Sequence, residues 1–173
     1  LEGSSVVHRA RPACQPTRAT RMPGHVVRNA SGASLWEQPN GHPWGNPIWK
    51  GRISGKFGLR KNSRFGTRNM HSGLDIVPTV RRTGPTRVFP VFWGYVVHAG
   101  WVRGLGNTVI VDHTRGYMSL YAHLSEITVE NDQKIDATTC IGHMGDSGSL
   151  FGPMLYFEIR KGGEAIDPLP WLK

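Results

Sequence analysis

The chain has 173 residues, room for one domain of ordinary size plus a tail and too little for two full domains. Its 22 Gly and 12 Pro make about a fifth of the residues turn-forming against an ordinary ~12%, which favours short strands and loops over a helical bundle, and no stretch approaches the ~20 apolar residues of a membrane span. The formal net charge of +9 is uneven: residues 1–90 hold 15 basic and 3 acidic residues (+12), residues 91–173 hold 6 and 9 (−3).

Residues 1–34 carry Arg9, Arg11, Arg18, Arg21 and Arg28, a single acid in Glu2, three prolines and no apolar periodicity. Such a segment cannot offset the entropy of ordering, and the reading is a disordered basic arm or linker over residues 1–45. It has no continuous apolar stretch of the kind a secretory signal uses, and the chain starts at Leu1, which leaves room for a segment upstream. Trp36, Trp44 and Trp49 stand among Pro, Gly and Asn, as in an extended arm pinned by aromatic side chains onto the adjoining domain. The folded unit is expected over residues 46–173.

From Gly51 onward, short strand patterns separated by turn signals run through RISGKFG, LDIV, YVVHAGW, NTVIVDH, YMSLYAHL and MLYFEIR, an antiparallel all-β, sandwich-like arrangement. In YMSLYAHL the alternation assigns Met118, Leu120, Ala122 and Leu124 to the core and Tyr117, Ser119, Tyr121 and His123 to solvent or a groove. Thr114-Arg115-Gly116 reads as a hairpin turn, and Asn131-Asp132 as part of another. Cys14 and Cys140 show no metal-site spacing and read as incidental. The cations Arg52, Lys56, Arg60, Lys61, Arg64 and Arg68 lie in a Gly-rich stretch without helical period or aromatic platforms, so sequence-specific nucleic-acid recognition finds little support.

His71 and Asp75 in MHSGLDIVP are the most informative pair. On a straight strand four residues span ~13 Å, so a shared site needs a bend, which Gly73 permits. A helix is opposed by Gly73, the pair Ile76-Val77 and Pro78.

In order and spacing, GRISGKFGLRKNSRFGTRNMHSGLDI, NTVIVDHTRGYMSLYAHLSEI and GHMGDSGSLFGPMLYFEIRKGGEAIDPLPWL resemble the LytM or lysostaphin-type peptidoglycan endopeptidase domain. The closing LYFEIRKGGEAIDPLPWL is most similar to the EnvC branch, whose members activate cell-wall amidases. The resemblance implies that His71 and Asp75 match two zinc-ligand positions and that His123 matches the histidine of a Y-x-H-L strand, the one retained catalytic position. The family's H-x-H pair, which gives the third ligand and a second proton-transfer group, is replaced here by Met154 and Tyr156. A catalytic zinc normally has three protein ligands and a water, tyrosine ionises only near pH ~10, and a thioether cannot act as a base. A triad of His71, Asp75 and His123 would need a shifted geometry, and Glu158 reads as a structural or rim carboxylate near an Arg.

The expected function is therefore a non-catalytic activator of an N-acetylmuramoyl-L-alanine amidase, binding through a groove lined by Met154, Tyr156, Tyr121, His123 and His71 and needing no cofactor. The resemblance implies a periplasmic or cell-envelope location. The alternatives are a zinc endopeptidase that cuts cross-link peptides, and a binding module whose basic arm grips anionic wall polymer or nucleic acid.

Overall fold

The computed structural model describes residues 45–48, 51–61, 68–79 and 84–172. The expected arm over 1–45 therefore lies outside the described residues except for Gly45. Twelve strands are arranged along the described chain: β1 (Gly51–Gly55), β2 (Gly58–Lys61), β3 (Arg68–His71), β4 (Leu74–Pro78), β5 (Arg87–Val88), β6 (Gly94–Val102), β7 (Gly106–Asp112), β8 (Tyr117–Ile127), β9 (Lys134–Ile135), β10 (Gly142–Met144), β11 (Leu155–Lys161) and β12 (Glu164–Ile166). A 3-10 turn at Leu169–Trp171 closes the described chain, and no described helix is long and apolar enough to cross a membrane.

The main sheet runs β1-β4-β11-β8-β7-β6-β9, with β10 joining β8 to β5, β12 added to β11, and β2-β3 forming a separate hairpin. All recorded pairings are antiparallel, which is the all-β class read from the sequence. The expected hairpin between β7 and β8 is present: Thr114, Arg115 and Gly116 all take positive φ, and the Tyr117 N–H donates to the Thr114 carbonyl at 3.0 Å.

Alternation on β11 decides which face is inside. Leu155, Phe157 and Ile159 are fully buried in the main core with Leu74, Val109, Val111 and Tyr121, and Ile48, Val88, Val91 and Ile141 join that core from outside the central strands. Tyr156 instead packs with Leu120 and Ala122 in a second cluster on the opposite face, flanked by Leu105 and Ile110.

This reverses the sides expected for the first part of β8. Tyr117 and Tyr121 belong to the main core and Leu120 and Ala122 to the outer face, so Tyr121 does not line a groove. The alternation itself holds, but two faces of an amphipathic strand do not say which is covered. Tyr121 is buried because its phenol is satisfied there: the Val91 N–H donates to it at 2.8 Å, and Ser119 Oγ lies 2.8 Å away. His113 continues this chain, with Nε2 2.7 Å from Ser119 Oγ and Nδ1 2.7 Å from the Trp93 carbonyl.

A bulge restores the expected side for the last residues of β8. Between the pairs Val109↔Tyr121 and Asn107↔Leu124, β8 holds one residue more than β7, and His123 takes φ +62°. The extra residue lets Leu124 return to the core while His123 stays on the outer face beside Tyr156.

Cys140 is also corrected, being disulfide-bonded rather than incidental. The other cysteine of the sequence, Cys14, lies outside the described residues.

Candidate functional site

Four strands bring the sequence-selected residues together on the outer face. β11 supplies Tyr156 and Glu158, with Tyr156 opposite Ala122 of β8 on one side and Asp75 of β4 on the other. His71 ends β3, and Ser72-Gly73 turns the chain into β4, so that His71 Nε2 and Asp75 Oδ1 lie 3.2 Å apart. Gly73 serves this turn through space rather than backbone conformation: a Cβ there would run into the Phe157 carbonyl and the Glu158 side chain, and its φ is not positive.

Arg60 of β2 is the residue the sequence reading did not place. Its Nη2 lies 3.1 Å from Asp75 Oδ2, 2.7 Å from His71 Nδ1 and 3.1 Å from the Lys56 carbonyl. His71 Nδ1 faces both a donor, Arg60 Nη2, and an acceptor, the Lys56 carbonyl at 2.9 Å, while Nε2 lies against Asp75 Oδ1. The carboxylate is thus held by a guanidinium on one oxygen and by imidazole on the other. Gly55 leaves room for this, since a Cβ there would collide with both Asp75 Oδ2 and Arg60 Nη2. The sequence signal is the alternation around Gly58: β2 pairs Gly58 with His71 and Arg60 with Asn69, so Arg60 shares the hairpin face of His71.

Tyr156 stands between two imidazoles, its ring centroid 5.3 Å from His71 and 6.0 Å from His123. Its Oη donates to Glu158 Oε1 at 2.6 Å, and Arg160 Nε donates to Glu158 Oε2 at 2.7 Å. Burial, reinforced by the Glu158 and Asp75 charges, pushes the phenol well above its ordinary range. Glu158 is thereby a buried structural carboxylate paired with an Arg, in line with its strand parity.

His123 is fixed from behind. Its Nδ1 donates to the Ser147 carbonyl at 2.8 Å, while Ser147 Oγ donates to the Leu124 carbonyl at 2.6 Å and accepts the Asn107 N–H at 2.9 Å. Met154 begins the approach to β11, bridging to Gly145, whose N–H donates to the His123 carbonyl at 3.0 Å. Met154, Tyr156, His123 and His71 are therefore neighbours in the fold, and Tyr121 is behind the sheet.

The residues present do not fit a catalytic zinc. His71 Nε2 and Asp75 Oδ1 are spaced like two ligands of one ion, but among the described residues no group of three or more His, Cys, Asp or Glu side chains could hold a metal. The third place is taken by a phenol whose proton is committed to Glu158 and whose ionisation is strongly opposed. Among the other described histidines, His113 is held in the core, His143 has Nδ1 3.2 Å from Glu126 Oε2, and His98 lies on β6 with its Nε2 buried and unpartnered, away from this site.

An antiparallel sheet with an H-x-x-x-D turn opening onto its outer face, a bulged histidine on the neighbouring strand and a tyrosine between them define a peptidase-type domain with an altered donor set. The chain belongs to peptidase family M23, whose model matches residues 69–168. It is 40% identical over 87 residues to murein hydrolase activator EnvC of Escherichia coli, covering 50% of this chain and 21% of that one. It is 31% identical over 123 residues to DD-carboxypeptidase/endopeptidase Mpg of Neisseria meningitidis, covering 71% and 27%. Among solved structures, the catalytic domain of lysostaphin from Staphylococcus simulans matches with a TM-score of 0.59 at 27% identity, over 69% of this chain and 90% of that one. The chain thus spans about a fifth to a quarter of the two curated relatives named.

Proposed function

We propose that this chain is a non-catalytic murein hydrolase activator, whose outer-face site binds an N-acetylmuramoyl-L-alanine amidase of the cell envelope and raises its activity. The observation that carries the reading is Tyr156, standing between His71 and His123 with its phenol proton given to Glu158. A buried aromatic with a satisfied hydroxyl, beside a flexible thioether in Met154, suits recognition of a protein segment and not proton transfer. The similarity to EnvC supports the activator class. Residues 46–173 are the activating domain in this reading, with residues 1–45 a basic arm. Membership of family M23 and the similarity to the murein hydrolase activator EnvC support a periplasmic or envelope location.

The test is activation of purified amidases by the chain and by Tyr156→Ala. The unaltered chain is expected to raise release of labelled peptidoglycan, and the variant to lose that effect while melting as a folded domain. Equal activation by both removes Tyr156 from the site.

A second reading, a zinc endopeptidase acting on cross-link peptides, draws on the 3.2 Å approach of His71 to Asp75 and on the similarity to Mpg. Cleavage of cross-linked muropeptides by the zinc-loaded chain alone, lost in His71→Ala, would establish it.

A further inference from the structure

Two apolar side chains next to this site are left almost wholly in water. Leu150 is 92% and Phe151 88% exposed, the highest among the large hydrophobics of the described residues. The loop bearing them is tightly built. The Ser149 N–H donates to the Asp146 carbonyl at 2.9 Å, the Phe151 N–H to Ser149 Oγ at 3.2 Å, and Ser149 Oγ to the Gly152 carbonyl at 3.0 Å. Gly148 and Gly152 take the positive φ that these turns require. At its root, Ser147 holds His123, and the Met154 N–H donates to the Gly145 carbonyl at 2.9 Å. A turn closed in this way fixes its two apolar side chains outward, a placement that gains free energy only when something covers them.

The opposite side of the site is basic. Over the described residues of β1 to β3 and the turn between β1 and β2, the chain carries Arg52, Lys56, Arg60, Lys61 and Arg68 and no carboxylate. Lys61 and Arg68 are cross-strand partners, so like charges face one another at the end of the hairpin. On the hairpin side the carboxylates are already matched, Asp75 by Arg60 and Glu158 by Arg160, and Asp146, in no ion pair among the described residues, lies at the root of the apolar loop instead. The unmatched charge on the hairpin side is therefore positive. Residues 1–45, with five Arg against two Glu, have the wrong sign to cover it.

We infer that the Leu150-Phe151 tip and the basic β2-β3 hairpin together dock one acidic segment of the partner hydrolase, with apolar side chains set against the tip and carboxylates against the hairpin. This rests on the activator reading and names the chemistry of the partner's contact segment. A flat anionic bilayer also pairs with cations and exposed apolar side chains, but it cannot follow the surface down to Tyr156 and His123, each only 9% exposed between hairpin and loop.

The experiment measures affinity of the full chain for each purified amidase of the same genome, at low and high salt, for four proteins: unaltered, Leu150→Ser with Phe151→Ser, Lys61→Glu with Arg68→Glu, and Tyr156→Ala. Thermal melts confirm folding, which the exposed positions should not disturb. The apolar double variant is expected to lose about tenfold or more in affinity at every salt concentration. The charge-reversal variant should lose a similar factor at low salt only. Unchanged affinity in both double variants, with affinity lost in Tyr156→Ala, overturns the inference and leaves the activator reading standing. An unaltered chain that binds no amidase overturns both. Sedimentation with phosphatidylglycerol vesicles that depends on Leu150 and Phe151, while amidase affinity does not, overturns it in favour of a lipid surface.

Discussion

Tyr156 Oη donates to Glu158 Oε1 across 2.6 Å, two residues apart on one face of β11, and so ties the residue at the centre of the site to a buried carboxylate that Arg160 holds from the other side. The phenol is a committed donor. Tyr156→Phe removes that donor and leaves one oxygen of a buried charge without it, a loss of about 1–3 kcal/mol in folding stability. Glu158→Gln keeps an acceptor for the phenol but turns its amide –NH2 against the Arg160 Nε–H, donor against donor in a buried site, so the expected cost is at least as large, about 2–3 kcal/mol. Urea unfolding of the two variants checks the order; a smaller loss in Glu158→Gln would show that the phenol, not the Arg160 pair, holds the carboxylate.

Arg60 and Gly55 act as one unit, the guanidinium on Asp75 and the missing side chain that gives it room. Arg60 is itself partly exposed, so solvent screens the pair and Arg60→Met should cost no more than about 1 kcal/mol. Gly55→Ala displaces the same contact. The double variant is expected to be no less stable than the worse single one, and a double-mutant cycle measured by chemical denaturation tests this; strict additivity would mean that Gly55 serves another purpose.

The fold class and the His71–Asp75 turn are legible in the sequence because both depend on local signals: strand alternation, turn residues, and a motif compact enough to recognise. The inward position of Tyr121 is not, because an amphipathic strand with aromatics on one face and aliphatics on the other has two plausible cores. Only the long-range contacts of Tyr121 with Val91 and Phe157 settle the matter. Arg60 escapes notice for a related reason, being one cation among six in its stretch, singled out only when β2 folds against β3. The bulge at His123 needs the register with β7, which no pattern within β8 contains.

His113 makes stability depend on pH. Burial is the main cause that lowers its pKa from 6.5 to about 4, against the raising effects of the Trp93 carbonyl and Asp112. The native ring is neutral where the unfolded ring already takes a proton, so its contribution is whole above pH 6.5 and is lost as pH falls from there to about 4. Across that window the loss amounts to about 3 kcal/mol by linkage. Urea midpoints measured from about pH 7.5 to about pH 4 should fall accordingly, and His113→Gln should flatten the part of the slope that begins near the unfolded value. An unchanged slope in the variant would assign the acid sensitivity elsewhere.

His123 holds φ +62°, a conformation costly for most side chains. Asparagine tolerates it and carries an amide able to reach for the Ser147 carbonyl, whereas a β-branched residue does not. His123→Val is expected to lose about 2 kcal/mol or more and His123→Asn about half that, seen as separate shifts in melting temperature. Equal shifts would mean that the lost ring contact with Tyr156, not the backbone, sets the cost.

In the activator reading the site receives a protein and holds no catalytic metal, and zinc stoichiometry of the full chain, with His71→Ala as control, tests this most directly. The expected result is well under one zinc per folded chain after exposure to zinc and removal of the excess, with no difference between the two proteins. About one zinc per chain, lost in His71→Ala, would contradict it and require a third ligand beyond His71 and Asp75.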